Sequence, residues 1–528
     1  MIIFSIFVSL VMFFLIVLFL LLLPVSKLSL FFVEWDFFSL KFDLYFNSLF
    51  FSVVLLLISM SVLIFSSYYL LKDVMFDYYY LILFVFVMSM FMLIFSNNCL
   101  SMLLSWDLLG ISSFFLVLFY NNWDSCSGAM NTVLTNRLGD YFLFIFFCSG
   151  FFSSYFFGGG LYFVSMMVMM LLWAGFTKSA QFPFSSWLPK AMSAPTPVSS
   201  LVHSSTLVTA GLILIMNFKG LLLNYEVMVV VCLIGVFTMM FSSLSALFEE
   251  DLKKVVALST LSQMGFCMLT LGLGLVFVSF IHMVSHALFK SCLFMQIGYL
   301  IHCSMGQQDG RYYTNLCNVS LFVQLQLLLT LFCLCGLFFT SGAVSKDYIL
   351  EFMFSNTSSM LFSFMFFVSV FLTFCYSYRL WKGFFMNSLL SVDCFSNSLL
   401  YQYLSLVLVV MAVFFLWWLS CNLFSIPVLL LYLDFFVPLF YLLLVSFVFF
   451  FVFKCLLSEV KYKFLVDYVV KLLISGVKSN KFMDLFLGGL NNKGYTFFLL
   501  SGYGGLGLMK SFYYNSLVLV MFMLLFLI

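Results

Sequence analysis

The chain has 528 residues, of which 65% are hydrophobic and only 8% are charged, and its formal net charge is +2. A soluble core cannot use so much apolar surface, so the composition excludes a soluble globular protein and indicates an all-α polytopic membrane protein. The fourteen cysteines include no Cys-x-x-Cys pair, which disfavours an iron–sulfur cluster or a zinc site in this chain.

Apolar runs of about 20 residues can cross a bilayer as helices, and the sequence predicts about fifteen of them. The clearest runs are 2–23, 47–71, 78–95, 100–120, 133–155, 197–216, 277–302, 356–379, 401–420, 435–457 and 512–528. No basic residue precedes the first run and no small-residue cleavage site follows it. We therefore expect this run to be the first transmembrane helix and not a removable signal.

The first ionisable residues of interest in the apolar pattern are Asp107, Arg137 and Asp140. Asp107 has no cation beside it in the sequence, so we expect its partner to come from another helix. Arg137 and Asp140 are three residues apart, a spacing that predicts an ion pair on one helical face. We prefer a structural role for that pair.

The segment from 176 to 203 interrupts the apolar pattern and contains Lys178, His203 and four of the seven prolines. A charged side chain at the centre of a bilayer costs about 2.5–3.5 kcal/mol on insertion scales. Irregular backbone persists at that depth only where protein or water covers it. The segment is therefore a candidate functional site.

A polar stripe is predicted within the run 277–302. His282, His286 and Lys290 are four residues apart and so share one face of a helix. Met283 stands where a zinc-binding His-Glu-x-x-His motif requires Glu, which rules out that metalloprotease site. Three stacked polar groups in a membrane span favour a functional role over a purely structural one.

Lys346 lies beside a second interruption, because Gly336 and Gly342 precede it in an otherwise apolar stretch. Two interrupted helices that each carry a lysine are typical of the internal repeats of ion transporters. We therefore predict N-terminal transmembrane helices at 1–97 and two inverted repeats with broken helices, the first at 98–247 and the second at 248–380.

Charge divides the chain near residue 454. Residues 454–528 contain 8 lysines and 3 acids, whereas residues 1–453 contain 14 basic and 17 acidic residues. Charged and apolar residues alternate at helical spacing in the basic segment, which predicts a lateral amphipathic helix at 458–511; a solvated linker is the alternative. Transmembrane helices at 381–457 would precede it, and a final one at 512–528 would follow.

Five motifs, taken in their order along the chain, resemble those of the antiporter-like subunits of respiratory complex I. The motifs are Phe176-Thr-Lys-Ser-Ala-Gln-Phe-Pro-Phe-Ser-Ser-Trp-Leu-Pro, Ala194-Pro-Thr-Pro-Val-Ser, Asp251-Leu-Lys-Lys-Val-Val-Ala-Leu-Ser-Thr-Leu-Ser-Gln, Ser285-His-Ala-Leu-Phe-Lys and Ser345-Lys-Asp. The resemblance runs from about residue 106 to residue 379. The predicted lateral helix followed by a last span agrees with it.

The resemblance implies a proton-pumping subunit with a polar axis at the middle of the membrane. Its proton pathway would comprise, in order along the axis, Asp107, Lys178, His203, His282, His286, Lys290 and Lys346. The family usually has Glu at position 107, and Asp is one methylene shorter, which puts direct contact with Lys178 in doubt. The pattern also departs at Lys190 and Ser193, where acids are common, and after Gly336, where the proline is missing.

The resemblance further implies that this chain binds no cofactor or metal. NADH, FMN, the iron–sulfur clusters and ubiquinone would be bound by partner subunits of complex I, with neighbouring antiporter-like subunits as direct partners. The expected location is the mitochondrial inner membrane. Two alternatives are a secondary cation/proton antiporter subunit and a structural scaffold of the membrane arm.

Overall fold

The computed structural model describes residues 2–22, 27–33, 40–70, 73, 75–155, 161–218, 224–313, 320–337, 340–355, 360–385 and 407–412. The chain forms two compact units, Met1–Glu459 and Val460–Ile528. All described residues belong to the first unit. The predicted lateral helix at 458–511 and the predicted spans at 435–457 and 512–528 lie outside the described residues.

The described part of the chain is built mainly of helices, which confirms the predicted fold class. The helices are α1 (Ile2–Leu22), α2 (Phe46–Tyr69), α3 (Phe76–Phe95), α4 (Cys99–Val117), α5 (Trp123–Tyr155), α6 (Leu161–Lys178), α7 (Trp187–Lys190), α8 (Thr196–Val198), α9 (Leu207–Asn217), α10 (Tyr225–Phe248), α11 (Leu252–Gly272), α12 (Val276–Cys303), α13 (Leu321–Cys335), α14 (Ser341–Ser355) and α15 (Met360–Phe385). Eight helical segments among the described residues are long and apolar enough to cross a bilayer. The total of about fifteen spans stays a prediction.

A β-hairpin departs from the all-helical expectation for residues 1–97. Strands β1 (Lys27–Val33) and β2 (Leu40–Tyr45) pair antiparallel, with an irregularity between Phe31 and Val33. Polar and apolar residues alternate in the first part of β2. This pattern is typical of a strand with one polar and one apolar face. The hairpin is fixed to the loop before α4, where Asn97 donates a 2.5 Å hydrogen bond to the Asp43 carboxylate.

Helices α10 and α11 approach each other closely along a seam of glycines. A Cβ atom at Gly235 would lie 2.7 Å from the Leu269 nitrogen, and one at Gly265 would lie 2.9 Å from the Gly235 oxygen. Small residues allow such close backbone contact between helices in membranes, where the hydrophobic effect does not drive their association. At the end of α10, the guanidinium of Arg379 from α15 donates hydrogen bonds to the carbonyls of Ala246, Leu247 and Glu249.

Both predicted interruptions are present. Helix α6 ends at Lys178, short turns follow, and the next span, Thr196–Asn217, contains a π-helix at Ser199–Thr206. Helix α13 ends where Gly336 adopts a φ of 77°, a left-handed conformation that glycine tolerates best, and α14 starts after it. Helix α12 packs against α2, α11, α13, α14 and the π-helix, and thus contacts elements from both interruptions.

Candidate functional site

Lys178 is completely buried at the end of α6. Its amine donates a 2.7 Å hydrogen bond to the backbone carbonyl of Trp106 in α4 and lies 3.9 Å from the centre of the Trp106 ring. A cation over an indole face is attracted by the negative charge of the ring face, more strongly when both are away from water. The amine is thus held by two neutral partners from one residue.

Two acids, Asp107 and Asp140, lie near this lysine and share one arginine, Arg137; we call these three residues and Lys178 the acidic cluster. Arg137 in α5 bridges two carboxylates, with nitrogen–oxygen distances of 3.3 Å to Asp107 and 3.4 Å to Asp140. The predicted pair of Arg137 and Asp140 is confirmed, and Asp107 finds its partner on another helix, as expected. The side chain of Asp107 is 39% exposed and that of Asp140 only 10%. Solvent therefore screens the charge of Asp140 less than that of Asp107, and the cation of Arg137 lies against both acids.

His203 lies in the π-helix and is completely buried. Neither ring nitrogen has a hydrogen-bond partner among the described residues. Its ring makes an edge-to-face contact with Trp187, with the ring centres 6.1 Å apart. Trp187 donates a 3.0 Å hydrogen bond to the carbonyl of Thr177, the residue before Lys178. His203 is therefore connected through Trp187 to the end of α6. Single π-helical turns occur frequently at functional sites.

The three predicted residues of α12 are all completely buried. His282 lies between Ser345 in α14, with 2.8 Å from Nδ1 to the hydroxyl, and Gln263 in α11, with 3.2 Å from Nε2 to Oε1. Lys290 donates a 2.6 Å hydrogen bond to the hydroxyl of Ser259 in α11. His286, between them, has no hydrogen-bond partner in the described part of the chain.

Lys346 in α14 reaches back to the preceding helix. Its amine donates hydrogen bonds of 2.5 Å to the carbonyl of Leu334 and 3.4 Å to that of Cys335. These carbonyls lie in the last turn of α13, where helical carbonyls lack backbone partners and the helix dipole is negative. The break between α13 and α14 therefore supplies the acceptor for this cation.

The predicted residues fall into two groups. Asp107 and Lys178 lie in the acidic cluster, to which His203 is joined through Trp187. His282 contacts the residue before Lys346, and His286 and Lys290 follow His282 on the same buried helix, so we group these four residues as the cationic cluster. Packing of α12 against the π-helix brings the helices of the two groups together.

Several neutral residues that bind the predicted lysines and His282 were not predicted from the sequence. Trp106, Leu334 and Cys335 contribute backbone carbonyls, which any residue type provides, so no sequence signal identifies them. Ser259 and Gln263 had a signal, since two polar residues four apart share one face of the otherwise apolar helix α11. Among the described residues, no group of three or more His, Cys, Asp or Glu side chains is placed to hold a metal ion.

Comparison with known proteins supports one assignment. Residues 96–373 match a family model described as NADH:quinone oxidoreductase/Mrp antiporter, TM. The chain is 65% identical to NADH-ubiquinone oxidoreductase chain 5 of Ascaris suum, over 95% of this chain and 92% of the relative. It is 63% identical to the Caenorhabditis elegans protein of the same name, over 95% of each chain.

Solved structures share the fold at low sequence identity. A chain of the Mrp complex from Dietzia sp. matches with a TM-score of 0.74 and 21% identity, over 95% of this chain and 60% of that one. A chain of an archaeal membrane-bound sulfane sulfur reductase matches with a TM-score of 0.66 and 16% identity, over 77% of this chain and 88% of that one. The curated relatives and the family model together show that the chain belongs to the NADH-ubiquinone oxidoreductase chain 5 family of antiporter-like membrane proteins.

Proposed function

We propose that this chain is a proton-translocating subunit of the membrane arm of respiratory complex I and that its buried polar residues carry the proton. Membership of the chain 5 family supports the assignment to complex I and to the mitochondrial inner membrane. The apolar helices support a multi-pass arrangement. The proposed pathway consists of Asp107, Lys178, His203, His282, His286, Lys290 and Lys346. We add Asp140, for which the sequence favoured a structural role, because Arg137 joins it to Asp107.

One observation carries the pathway. Lys178, Lys290 and Lys346 are buried in membrane helices, and each amine donates to a carbonyl or hydroxyl oxygen. Among the described residues, the amines of Lys178 and Lys290 form no ion pair with a carboxylate. An amine held by neutral acceptors can lose or gain a proton without breaking a salt bridge, which suits a relay better than a structural ion pair does.

The two acids give the first lysine a means of control. A nearby carboxylate stabilises the charged form of an amine, and a nearby cation destabilises it. Arg137 contacts both Asp107 and Asp140, so any movement of Arg137 changes the field of both acids at Lys178. The acidic cluster would therefore set when Lys178 takes up its proton and when it releases that proton toward His203.

The energy must come from outside this chain. Moving one proton through a membrane potential costs about 2.3 kcal/mol per 100 mV. We assign the redox chemistry to partner subunits, which would bind NADH, FMN, the iron–sulfur clusters and ubiquinone. The lateral helix predicted at 458–511 would contact the neighbouring antiporter-like subunits.

A cation/proton antiporter subunit is the second candidate, favoured by the fold that the chain shares with the Mrp complex. Shared fold at 21% identity does not transfer an activity. The relatives at 65% and 63% identity carry the complex I name, and we rank that assignment first.

Replacement of Lys290 by Met tests the pathway. Methionine keeps the length of the side chain and removes the proton carrier, and Ser259 keeps its 2.7 Å hydrogen bond to Val256. We expect intact complex I with Lys290→Met to assemble, and its proton pumping in proteoliposomes to fall by on the order of a hundredfold, as for loss of a proton-transfer group.

The matched control is Lys254→Met, which removes an amine that is 41% exposed and paired with Glu249 and Asp251. The control should pump at the normal rate. Normal pumping and normal NADH oxidation in the assembled Lys290→Met complex would exclude Lys290 from the pathway.

A further inference from the structure

An aromatic cluster surrounds an exposed histidine at the end of α12. The ring centre of His302 lies 5.0 Å from that of Tyr68 and 5.4 Å from that of Tyr69, both in the last turn of α2. The side chain of His302 is exposed, whereas Tyr299, one turn earlier in α12, is buried. An imidazole can both accept and donate a proton, so an exposed one can exchange protons with its surroundings.

One turn deeper, α12 touches the start of the span that contains His203. A Cβ atom at Gly298 would lie 2.8 Å from the hydroxyl oxygen of Thr196, so only glycine permits this approach. The hydroxyl of Tyr69 neighbours that of Thr196, and Thr196 Oγ1 is a buried oxygen with no hydrogen-bond partner among the described residues. Thr196 is 1% exposed. The buried Thr196 hydroxyl therefore lies next to the aromatic cluster, of which His302 is the exposed member.

From Thr196 a polar stripe continues to His203. Ser199 and Ser200 are one turn further along, both completely buried, and their hydroxyls donate to the carbonyls of Thr196 and Pro197. Their oxygens keep lone pairs that can accept another hydrogen bond. Thr196 and His203 are seven residues apart, which is about 10 Å along a helix.

We propose that His302, Tyr69 and Thr196 form the mouth of a proton route between the membrane surface and His203. This inference rests on the proposed function and names the surface access of the same pathway. A proton taken up by the imidazole of His302 would pass to the Tyr69 oxygen as the Tyr69 hydroxyl proton moves to Thr196. Repetition of the exchange along Ser199 and Ser200 delivers one proton to a ring nitrogen of His203 and leaves each hydroxyl neutral.

The surroundings of the mouth suit a site that collects protons. Asp73, in the connection after α2, acts electrostatically on Tyr69 and on Tyr120 at the end of α4. A carboxylate near the mouth attracts cations from solution. His302 is the basic residue in this group, Tyr68 and Tyr69 are its titratable ring contacts, and Tyr299 packs on Tyr68.

Removal of the Thr196 hydroxyl tests the route. Thr196→Val keeps the shape of the side chain and removes the relay oxygen, so intact complex I with this change should pump at least about tenfold more slowly in proteoliposomes. Thr196→Ser restores the oxygen and should recover most of the rate. Thr209→Val, which removes a buried hydroxyl beyond His203 in the same span, is the matched control and should pump normally.

Chemical rescue separates a proton carrier from a packing residue. We expect His302→Ala to slow pumping severalfold and added imidazole to restore it, because the side chain at this position is exposed. A slow His302→Ala complex that imidazole does not rescue, or a Thr196→Val complex at the normal rate, would overturn the proposed mouth.

The variant His203→Gln distinguishes failure of the proposed mouth from failure of the whole proton pathway. If His203→Gln abolishes pumping while His302→Ala and Thr196→Val pump normally, the pathway stands and the mouth lies elsewhere. If His203→Gln also pumps normally, the proposed function of His203 fails with it.

Discussion

The two helix breaks hold their lysines in different ways. Lys178 lies in the acidic cluster, with Asp140 nearby, and its amine binds a carbonyl of another helix, at Trp106. Lys346 lies in the cationic cluster, and its amine binds the last carbonyls of the helix that precedes its own break, at Leu334 and Cys335. Acids thus lie near the first cation, whereas the second donates to the carbonyls at a helix end.

This difference implies two means of control. The charge on Lys178 responds to the acids and to Arg137, which are side chains that can rearrange. The charge on Lys346 responds to the distance between α14 and the end of α13, because the dipole of a helix acts only within its last turn. The first break would be controlled by charge and the second by helix geometry.

The largest expected effect is that of Lys346→Met. Loss of the amine removes the proton carrier at the second break, so pumping by the assembled complex should fall by on the order of a hundredfold. Abundance should stay normal, since burying a cation is costly and methionine is an apolar side chain of similar length. The measurement is proton yield per NADH oxidised in proteoliposomes, with exposed Lys382→Met as control. Wild-type yield and rate in the variant would place Lys346 outside the pathway.

The next effect compares the two acids of the first break. Asp140→Asn should slow pumping by about tenfold, because a nearby opposite charge sets the proton affinity of an amine. Asp107→Asn should have a smaller effect, since solvent screens the charge of a half-exposed carboxylate. The ratio of the two pumping rates is the test. A larger loss from Asp107→Asn would show that Asp107 is the controlling acid in the assembled complex.

The smallest effect is on stability and compares the packing of the two breaks. A Cβ atom at Gly342 would lie 2.0 Å from the backbone oxygen of Cys333, and one at Gly139 would lie 2.0 Å from the side-chain oxygen of Thr177. A side chain can rotate away and a helix carbonyl cannot, so Gly342→Ala should cost about 3 kcal/mol and Gly139→Ala about 1 kcal/mol.

The midpoint of thermal dissociation of the complex measures this difference. Gly110→Ala is the control, because nothing lies within 4 Å of a Cβ atom there. Alanine at that position should leave the midpoint unchanged or raise it. Equal losses at Gly139 and Gly342 would show that the second break is as adaptable as the first.

The sequence predicted several spans closely. The predicted run 277–302 is helix Val276–Cys303, and the predicted run 197–216 is the span Thr196–Asn217. Hydropathy fails where a helix leaves the apolar layer: α5 begins at Trp123, although its apolar run starts at 133. The hairpin was missed because each strand is short and lies beside long apolar runs, where the period of two is hard to recognise.

The sequence identified candidate cations of the site but not the acceptors that bind them. Lys178, Lys290 and Lys346 stand out because charged residues are rare in apolar runs. The carbonyls that bind Lys178 and Lys346 become acceptors only through tertiary packing. The nearness of Asp140 to Lys178 also depends on how α5 packs on α6, which residue spacing within one helix cannot reveal.

Two spans are buried much more completely than the helix that lies between them in the chain. The most apolar 18-residue stretches of Thr196–Asn217 and Leu252–Gly272 are completely buried, whereas only half of the corresponding stretch of Tyr225–Phe248 is. The buried spans contain the serines, threonines, glutamine and histidine of the site, and such helices partition into lipid less readily than helices of leucine, valine and phenylalanine. Helix α10 is joined to α11 by Glu249-Glu250-Asp251 and packs on it along the glycine seam. The two helices are therefore suited to insert together as a hairpin, in which the apolar helix carries its polar neighbour into the bilayer.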